Sequence, residues 1–355
     1  MIPSAQSETA TTSTFSPASQ LAALLQKAAV SRLDHMGWIR VTGEDRVRWL
    51  NGMVTNSIQD LKACEGNYNF LLSVQGRIQG DAIIFAEPDA LLMESAASQV
   101  QGMMTWLDRF IIMDDVELAD VTGGRSGLLV AGPQAASLLA GIGLNVEDFK
   151  VLERRMTSWS GIQIDIVHAH SPLVPRFELW TDPETIARLT ETLQSAGAIP
   201  CEAQSLEWLR LLEGTPLYGV DIRDRELPQE TAQTRALHFA KGCYLGQEIV
   251  ERIRSRGNVH RTFSAFRLEG DLPAAGAPLE AESKQVGELT SVAAIPLPGG
   301  DRATIQLALG YVRREALDRA ASILYPGGAA IPESLPFSAA APSAGQPASE
   351  SSERV

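Results

Sequence analysis

Cysteine is scarce in this chain: Cys64, Cys201 and Cys243 are the three in 355 residues. They lie far apart, with no C-x-x-C pair and no Cys/His ligand spacing, which excludes a self-contained zinc or cluster site written into the sequence. So few thiols in a chain of this length point to a reducing compartment. Long apolar runs are missing too, and none reaches the ~20 residues that a membrane helix needs. Residues 1–17 are rich in Ser, Thr and Ala without a basic or an apolar stretch, so no secretory leader is expected. Positive charge is in deficit: 30 Lys and Arg stand against 43 Asp and Glu, leaving −13 at pH 7. A field of that sign argues against direct nucleic-acid binding and against an anionic membrane surface. The expectation is a cytoplasmic protein with no membrane association and no resident metal.

What is present suits a globular protein, with 45% hydrophobic and 21% charged residues. At this length two or three domains are expected. Residues 1–20 and 336–355 lack the apolar content to pack and read as disordered tails. Helices are expected over 21–30, 44–51, 98–111, 134–140, 183–197, 205–213 and 247–253, from apolar residues at helical spacing and from stops such as Gly52 and Gly214. In the clearest of them, Val100, Met103, Met104, Leu107 and Ile111 form a stripe that reads as core rather than as a cofactor surface. Strands are expected over 37–43, 67–74, 80–85, 91–93, 128–131, 162–166 and 177–180. His168 and His170 flank a loop and read as solvated residues, since no carboxylate stands at a metal-binding spacing. After residue 257 the pattern changes to period-2 runs at 263–268, 287–294 and 305–312, separated by Gly/Pro turns. The expected organisation is an α+β module over 21–257 followed by a small antiparallel barrel or sandwich over 258–335.

The most legible stretch is Lys241-Gly242-Cys243-Tyr244-Leu245-Gly246-Gln247-Glu248, followed by Arg252, Arg254, Arg256, His260 and Arg261. Glycine lets backbone approach a ligand or take positive φ. A thiol beside a cation, or just before a helix N-terminus, carries more thiolate. Arginines fork onto carboxylates or phosphates, so the basic run is a candidate patch for an anion or a partner. The plainer alternative is a glycine turn leading into an amphipathic helix, with the cysteine buried.

The octapeptide resembles the K-G-C-Y-x-G-Q-E signature of the YgfZ proteins, folate-binding relatives of the glycine-cleavage T-protein that act in iron–sulfur cluster assembly. The resemblance extends to Leu50-Asn51-Gly52-Met53-Val54-Thr55-Asn56, to Gly76-Arg77, and to Leu209-Arg210-Leu211-Leu212-Glu213-Gly214 with Tyr218-Gly219-Val220-Asp221-Ile222. Leu289-Thr290-Ser291 and Ala308-Leu309-Gly310-Tyr311-Val312-Arg313 resemble the family's C-terminal barrel strands, so roughly residues 30–320 are covered. The resemblance implies interlocked subdomains enclosing a central channel, plus a β-barrel, with tetrahydrofolate as ligand, plain, one-carbon-substituted or polyglutamylated. Partners would be iron–sulfur assembly or client proteins, including those that modify tRNA. Cys243 would be the reactive thiol, with Lys241 lowering its pKa and Gln247 and Glu248 holding the loop. Arg210, Asn51, Met53, Asn56 and Tyr218 match ligand-side positions. Arg210 has a second reading, an ion pair with Glu207 or Glu213 across a helical turn, and the asparagines have helix-stop and turn roles.

Two departures bear on chemistry. The T-protein's acid after an Asn-Ala-type turn has no matching aspartate in Leu91-Leu92-Met93-Glu94-Ser95-Ala96-Ala97. The T-protein's glycine-rich turn is replaced by His170-Ser171-Pro172-Leu173-Val174-Pro175-Arg176-Phe177-Glu178. Loss of a positioned acid or base removes on the order of 10²–10⁴ in rate. Aminomethyl transfer is therefore the alternative activity, and folate binding without turnover the favoured one.

Overall fold

Short runs of alternating burial build three sheets in a computed structural model that describes residues 15–257, 259–299 and 304–337. The first sheet has the order Ile199–Pro200, Ala29–Arg32, Ser126–Ala131, Arg176–Thr181, Ile162–His168, Arg154–Trp159. The second has the order Gly66–Leu72, Ile78–Ala86, Leu91–Ala96, Met36–Thr42, Glu117–Asp120. Pairing is antiparallel throughout except between Ala29–Arg32 and Ile199–Pro200. The chain lays one strand of the six-stranded sheet, builds the whole five-stranded sheet, and only then returns, so the two units are interlocked.

Each sheet carries helices on its apolar face. Leu139, Ile186, Leu189 and Leu193, from helices Ala135–Gly141 and Pro183–Ser195, pack on Leu128, Val130, Ile164 and Leu179. Asp182 caps the second of these by accepting from Thr185 N at 2.9 Å, and Pro183 fills its first turn. Helix Ala97–Asp108 lays Val100, Met103 and Leu107 on the five-stranded sheet, with Met104 half-buried, so the methionine stripe is core. The sheets meet through Trp38, Phe85 and Trp180, with ring centroids 5.5–5.6 Å apart in edge contacts.

The barrel closes in the order Arg261–Gly270, Thr304–Arg313, Lys284–Pro296, Pro278–Ala281, Leu324–Tyr325, Gly328–Glu333, with the last strand paired to the first. Closure leaves no open edge for another chain to pair with. Phe263, Leu307, Leu309 and Tyr311 face Leu21, Leu24, Leu209 and Leu212, so helices Pro17–Gln26 and Ala203–Glu213 lie between barrel and six-stranded sheet.

The expected tails need correction at their inner ends. The first helix spans Pro17–Gln26, not 21–30, capped by Ser16, and Ala29–Arg32 is a strand. Gln20 is fully buried, and its side-chain oxygen accepts from Glu202 N (3.0 Å) and Ser205 Oγ (2.9 Å). Phe337 N donates to Leu212 O at 2.7 Å. Composition averaged over twenty residues hid both anchors; the rest of each expected tail, 1–14 and 338–355, lies outside the described residues. Among the described residues no helix is long and apolar enough to cross a membrane, and no cluster of three or more His, Cys, Asp or Glu could hold a metal.

Candidate functional site

The motif loop is stitched to the turn after helix Arg46–Asn51. Lys241 Nζ donates to three backbone carbonyls, Asn51, Val54 and Asn56, each at 2.7 Å. Leu245 N donates to Gly52 O at 2.9 Å. Burial pulls the Lys241 pKa down to about 8, so at neutral pH it remains an ammonium with three N–H groups facing three acceptors. Among the described residues no hydrogen bond joins Lys241 to the Cys243 sulfur. The expected thiol-tuning lysine is, in this geometry, the anchor of the loop. The two flanking residues behave differently: Tyr244 is buried among Phe70, Leu72, Ile78 and Val250, whereas Cys243 is a free, exposed thiol.

The two motif glycines do different work. Gly246 has φ +82°, and a Cβ there would lie 2.7 Å from Ser73 O and 2.9 Å from Leu72 Cβ. Gly76, in the facing turn, has φ +72° and would meet Ile249 Cβ at 2.7 Å. Both are required for the helix Gln247–Arg256 to seat against that turn. Gly242 has open space around its missing side chain, next to the exposed thiol. Gln247 Oε1 accepts from Tyr244 N at 3.3 Å, while Glu248 is exposed in the first turn.

The ligand-side residues turn largely to the protein itself. All five N–H donors of Arg210 are taken: Nε and Nη2 by Glu207 (2.7 and 2.6 Å), Nη1 by Thr215 O (2.7 Å) and Asp221 (2.6 Å), and Nη2 also by Ser291 Oγ (2.7 Å). Asp221 is fully buried and also accepts from Thr290, Ser291 and Leu217 N. Of the two readings of Arg210, the ion pair with Glu207 is the one present, and the side chain does not grip a folate tail but clamps its helix to the 215–222 loop and the barrel. Asn51 Oδ1 accepts from Ile58 N, and Asn56 donates to Tyr68 O and Arg235 O, which are turn roles. Met53 is core. The basic patch is divided as well. Arg252 and Arg254 are exposed on the helix that Arg256 ends, with Arg254 lying 4.6 Å over Phe239. Arg261 turns inward to Glu230, at 3.0 and 3.1 Å.

The centre of the molecule holds the polar cluster that sequence reasoning missed. Tyr68 and Asp81 stand on adjacent antiparallel strands, and the phenol donates to Asp81 Oδ2 at 2.6 Å. Gln99 Nε2 donates to Asp81 Oδ1 at 2.8 Å. Burial pushes the Asp81 carboxyl above its usual range against these hydrogen bonds, and Tyr68 is pushed well up by burial and by Asp81. The Arg235 guanidinium lies 4.2 Å over the Tyr68 ring, and its Nη1 is buried without a partner. Tyr218 is half-buried and moved up to about 12 by burial, then by Asp81 and Asp224. Glu94 faces Glu178 from the other sheet; burial first, then that neighbour, hold its carboxyl well above the ordinary range, and Glu94 Oε1 is unpartnered. The inference of a centre without a positioned acid is thus corrected: Asp81 enters from the strand beside Leu91–Ala96. Its signal was a charge inside the otherwise apolar run Asp81-Ala82-Ile83-Ile84-Phe85.

The two histidines, expected to be solvated, are both half-buried. His168 stacks on Phe177 at 4.9 Å with Nδ1 2.9 Å from Phe149 O. His170 Nδ1 is buried without a partner, and burial, then Arg235, lower its pKa to about 4. An unfolded histidine binds a proton near pH 6.5, so between pH 6.5 and 4 the unfolded chain holds a proton that the folded one refuses. The stability from neutral His170 is present above pH 6.5 and falls as acid approaches pH 4. His170→Gln is expected to flatten this part of a Tm-against-pH curve; an unchanged slope would show that the ring titrates freely.

Comparison with known proteins supplies the context. Residues 11–241 match the GCVT N-terminal domain family. The crystal structure of glycine cleavage system aminomethyltransferase T from Bartonella henselae aligns with a TM-score of 0.80 at 22% identity, over 91% of this chain and 89% of that one. The architecture is thus the aminomethyltransferase fold, with mixed α/β content and a closed six-stranded antiparallel barrel at its C-terminal end. An aminomethyltransferase of Geobacillus kaustophilus is 28% identical over 76% of this chain and 76% of its own length. A putative chloroplastic transferase of Arabidopsis thaliana is 24% identical over 80% of this chain, which spans 65% of that protein.

Proposed function

Because the chain belongs to the GCVT N-terminal domain family, we propose that it binds a reduced folate at the central cluster and serves iron–sulfur proteins through Cys243. The observation that carries the first half is the set of unpartnered buried polar atoms: Arg235 Nη1, His170 Nδ1 and Glu94 Oε1. Each such atom costs about 1–3 kcal/mol when left unpaired, and together they offer the mixed donors and acceptors that a flat, polar heterocycle satisfies. Tyr68 and Tyr218 add aromatic faces beside them. Tetrahydrofolate fits this donor set, and when bound it would supply a carrier for a one-carbon unit.

The second half rests on the motif loop. A thiol presented to solvent beside an open glycine, on a loop clamped by Lys241, suits contact with a macromolecule or a persulfide better than contact with a buried ligand. The client proteins, including enzymes that thiolate tRNA, and a cytoplasmic location belong to the same reading. A second reading, a one-carbon transferase, is favoured by Asp81, a carboxyl held protonated to higher pH than usual and so fitted for acid–base work.

Thermal melting with and without tetrahydrofolate tests the binding, since a ligand of the native state must raise Tm. Cys243→Ala is expected to keep that shift yet fail to restore iron–sulfur enzyme activity in a host lacking its own protein of this kind. Full restoration would sink the role of the thiol. Turnover of an aminomethyl donor by the purified protein, abolished in Asp81→Asn, would establish the second reading instead.

A further inference from the structure

Sheet register sets Met156, Asp165 and Trp180 side by side on three neighbouring strands of the six-stranded sheet. Residues directly opposite on paired strands share a face, and here it is the face turned to Trp38 and the five-stranded sheet. Arg125 joins them from the turn that precedes Ser126–Ala131. Its guanidinium lies 5.8 Å from the ring centroids of both Trp38 and Trp180. A cleft of about 200 Å³ opens at this point, with Arg125, Met156, Asp165, Trp180, Thr181 and Asp182 in its wall. Pockets for drug-sized molecules run to about 300–1,000 Å³, so this one suits a smaller ligand.

Several polar groups around the cleft are already engaged. Asp182 accepts from Thr185 N through Oδ1 and from Thr181 Oγ1 through Oδ2. Arg154, behind Asp165, spends Nη1 on Glu87 and Nη2 on Asp165. Two groups are left over. The Arg125 side chain makes one hydrogen bond among the described residues, Nη1 to Asp165 Oδ2 at 3.3 Å, although a guanidinium carries five donors. Burial draws its pKa down against the pull of Asp165, so the cation is short of acceptors. Asp165 is 8% exposed and takes both its hydrogen bonds on Oδ2. Its Oδ1 accepts none, Arg154 Nη2 standing 3.0 Å away but outside hydrogen-bonding geometry. A free donor fork and a free carboxylate oxygen on two touching side chains call for a ligand whose opposite charges sit on neighbouring carbons. We propose that this cleft binds a small α-amino acid as its zwitterion, carboxylate on Arg125, ammonium on Asp165 and a short apolar side chain against Met156. Such a ligand brings no net charge, which matches a wall of mixed sign.

NMR titration of the full chain, isotopically labelled at tryptophan, tests this through the indole N–H signals of Trp38 and Trp180, which flank Arg125. L-Alanine is expected to shift both signals along a saturating curve. Propionate lacks the ammonium, ethylamine lacks the carboxylate, and 4-aminobutyrate holds its charges further apart. Each should bind at least about tenfold more weakly, the worth of one charge-assisted hydrogen bond. Arg125→Gln should abolish the shift. Because that side chain also packs between the sheets, Met156→Trp serves as a second variant: the position is 66% exposed, so the larger ring should fill the cleft and abolish binding while the Tm of the ligand-free chain stays as in the parent. The absence of a saturating shift with alanine overturns the site. So does propionate, ethylamine or 4-aminobutyrate binding as tightly as alanine, or alanine binding that survives Met156→Trp.

Discussion

Replacing Arg210 with alanine is expected to lower folding stability by about 3–5 kcal/mol, the usual cost of removing one partner from a buried ion pair. The side chain joins three parts of the chain through Glu207, Thr215, Asp221 and Ser291. Without it, the fully buried Asp221 keeps its bonds from Thr290, Ser291 and Leu217 N but loses its counter-charge. Asp221→Asn should destabilise through the same contact, leaving Arg210 with a neutral partner, and Arg210→Lys cannot replace a five-donor fork. Urea unfolding of the full chain measures the effect. For the variant well below its Tm, tetrahydrofolate affinity should be close to that of the parent. A loss under 1 kcal/mol together with a selective loss of folate binding would return Arg210 to the ligand.

Lys241→Met should be nearly as damaging, at about 2–4 kcal/mol, by a different route. Methionine matches the length and tolerates the burial, but the carbonyls of Asn51, Val54 and Asn56 lose their shared donor. Lys241→Arg should not rescue, because a planar fork does not converge on three carbonyls as one ammonium does. The loop should loosen around Cys243, which would appear as faster alkylation of that thiol by iodoacetamide together with a lower Tm. Slower alkylation with an unchanged Tm would mean that Lys241 acts on the sulfur and not on the loop.

These two residues show how far sequence reasoning reaches. Lys241 and Arg210 stand out in the sequence, because a lysine just before a glycine–cysteine pair and an arginine in a leucine-rich helix are uncommon choices. The role of Lys241 was not readable, and of the contacts of Arg210 only the ion pair with Glu207 was. The acceptors of Lys241 lie 185–190 residues away in the chain, and Ser291 lies 81 residues from Arg210. Asp81 illustrates the converse: its charge in an apolar strand was visible, yet its importance depends on Tyr68, Gln99 and Arg235 converging on it. Arg235 carried no local signal at all, sitting in the single 3-10 turn Thr234–Ala236.

Periodicity, caps and turn residues are contacts of a residue with its own neighbours, three or four along a helix and two along a strand. They were enough to specify an α+β chain, helices such as Pro183–Ser195 and the late change to barrel strands. Which charges cancel each other and which face a ligand is decided by burial and by partners far along the chain. That is why Arg210 and Arg261 became internal clamps, and a protonatable carboxyl appeared at the centre only once two strands had paired.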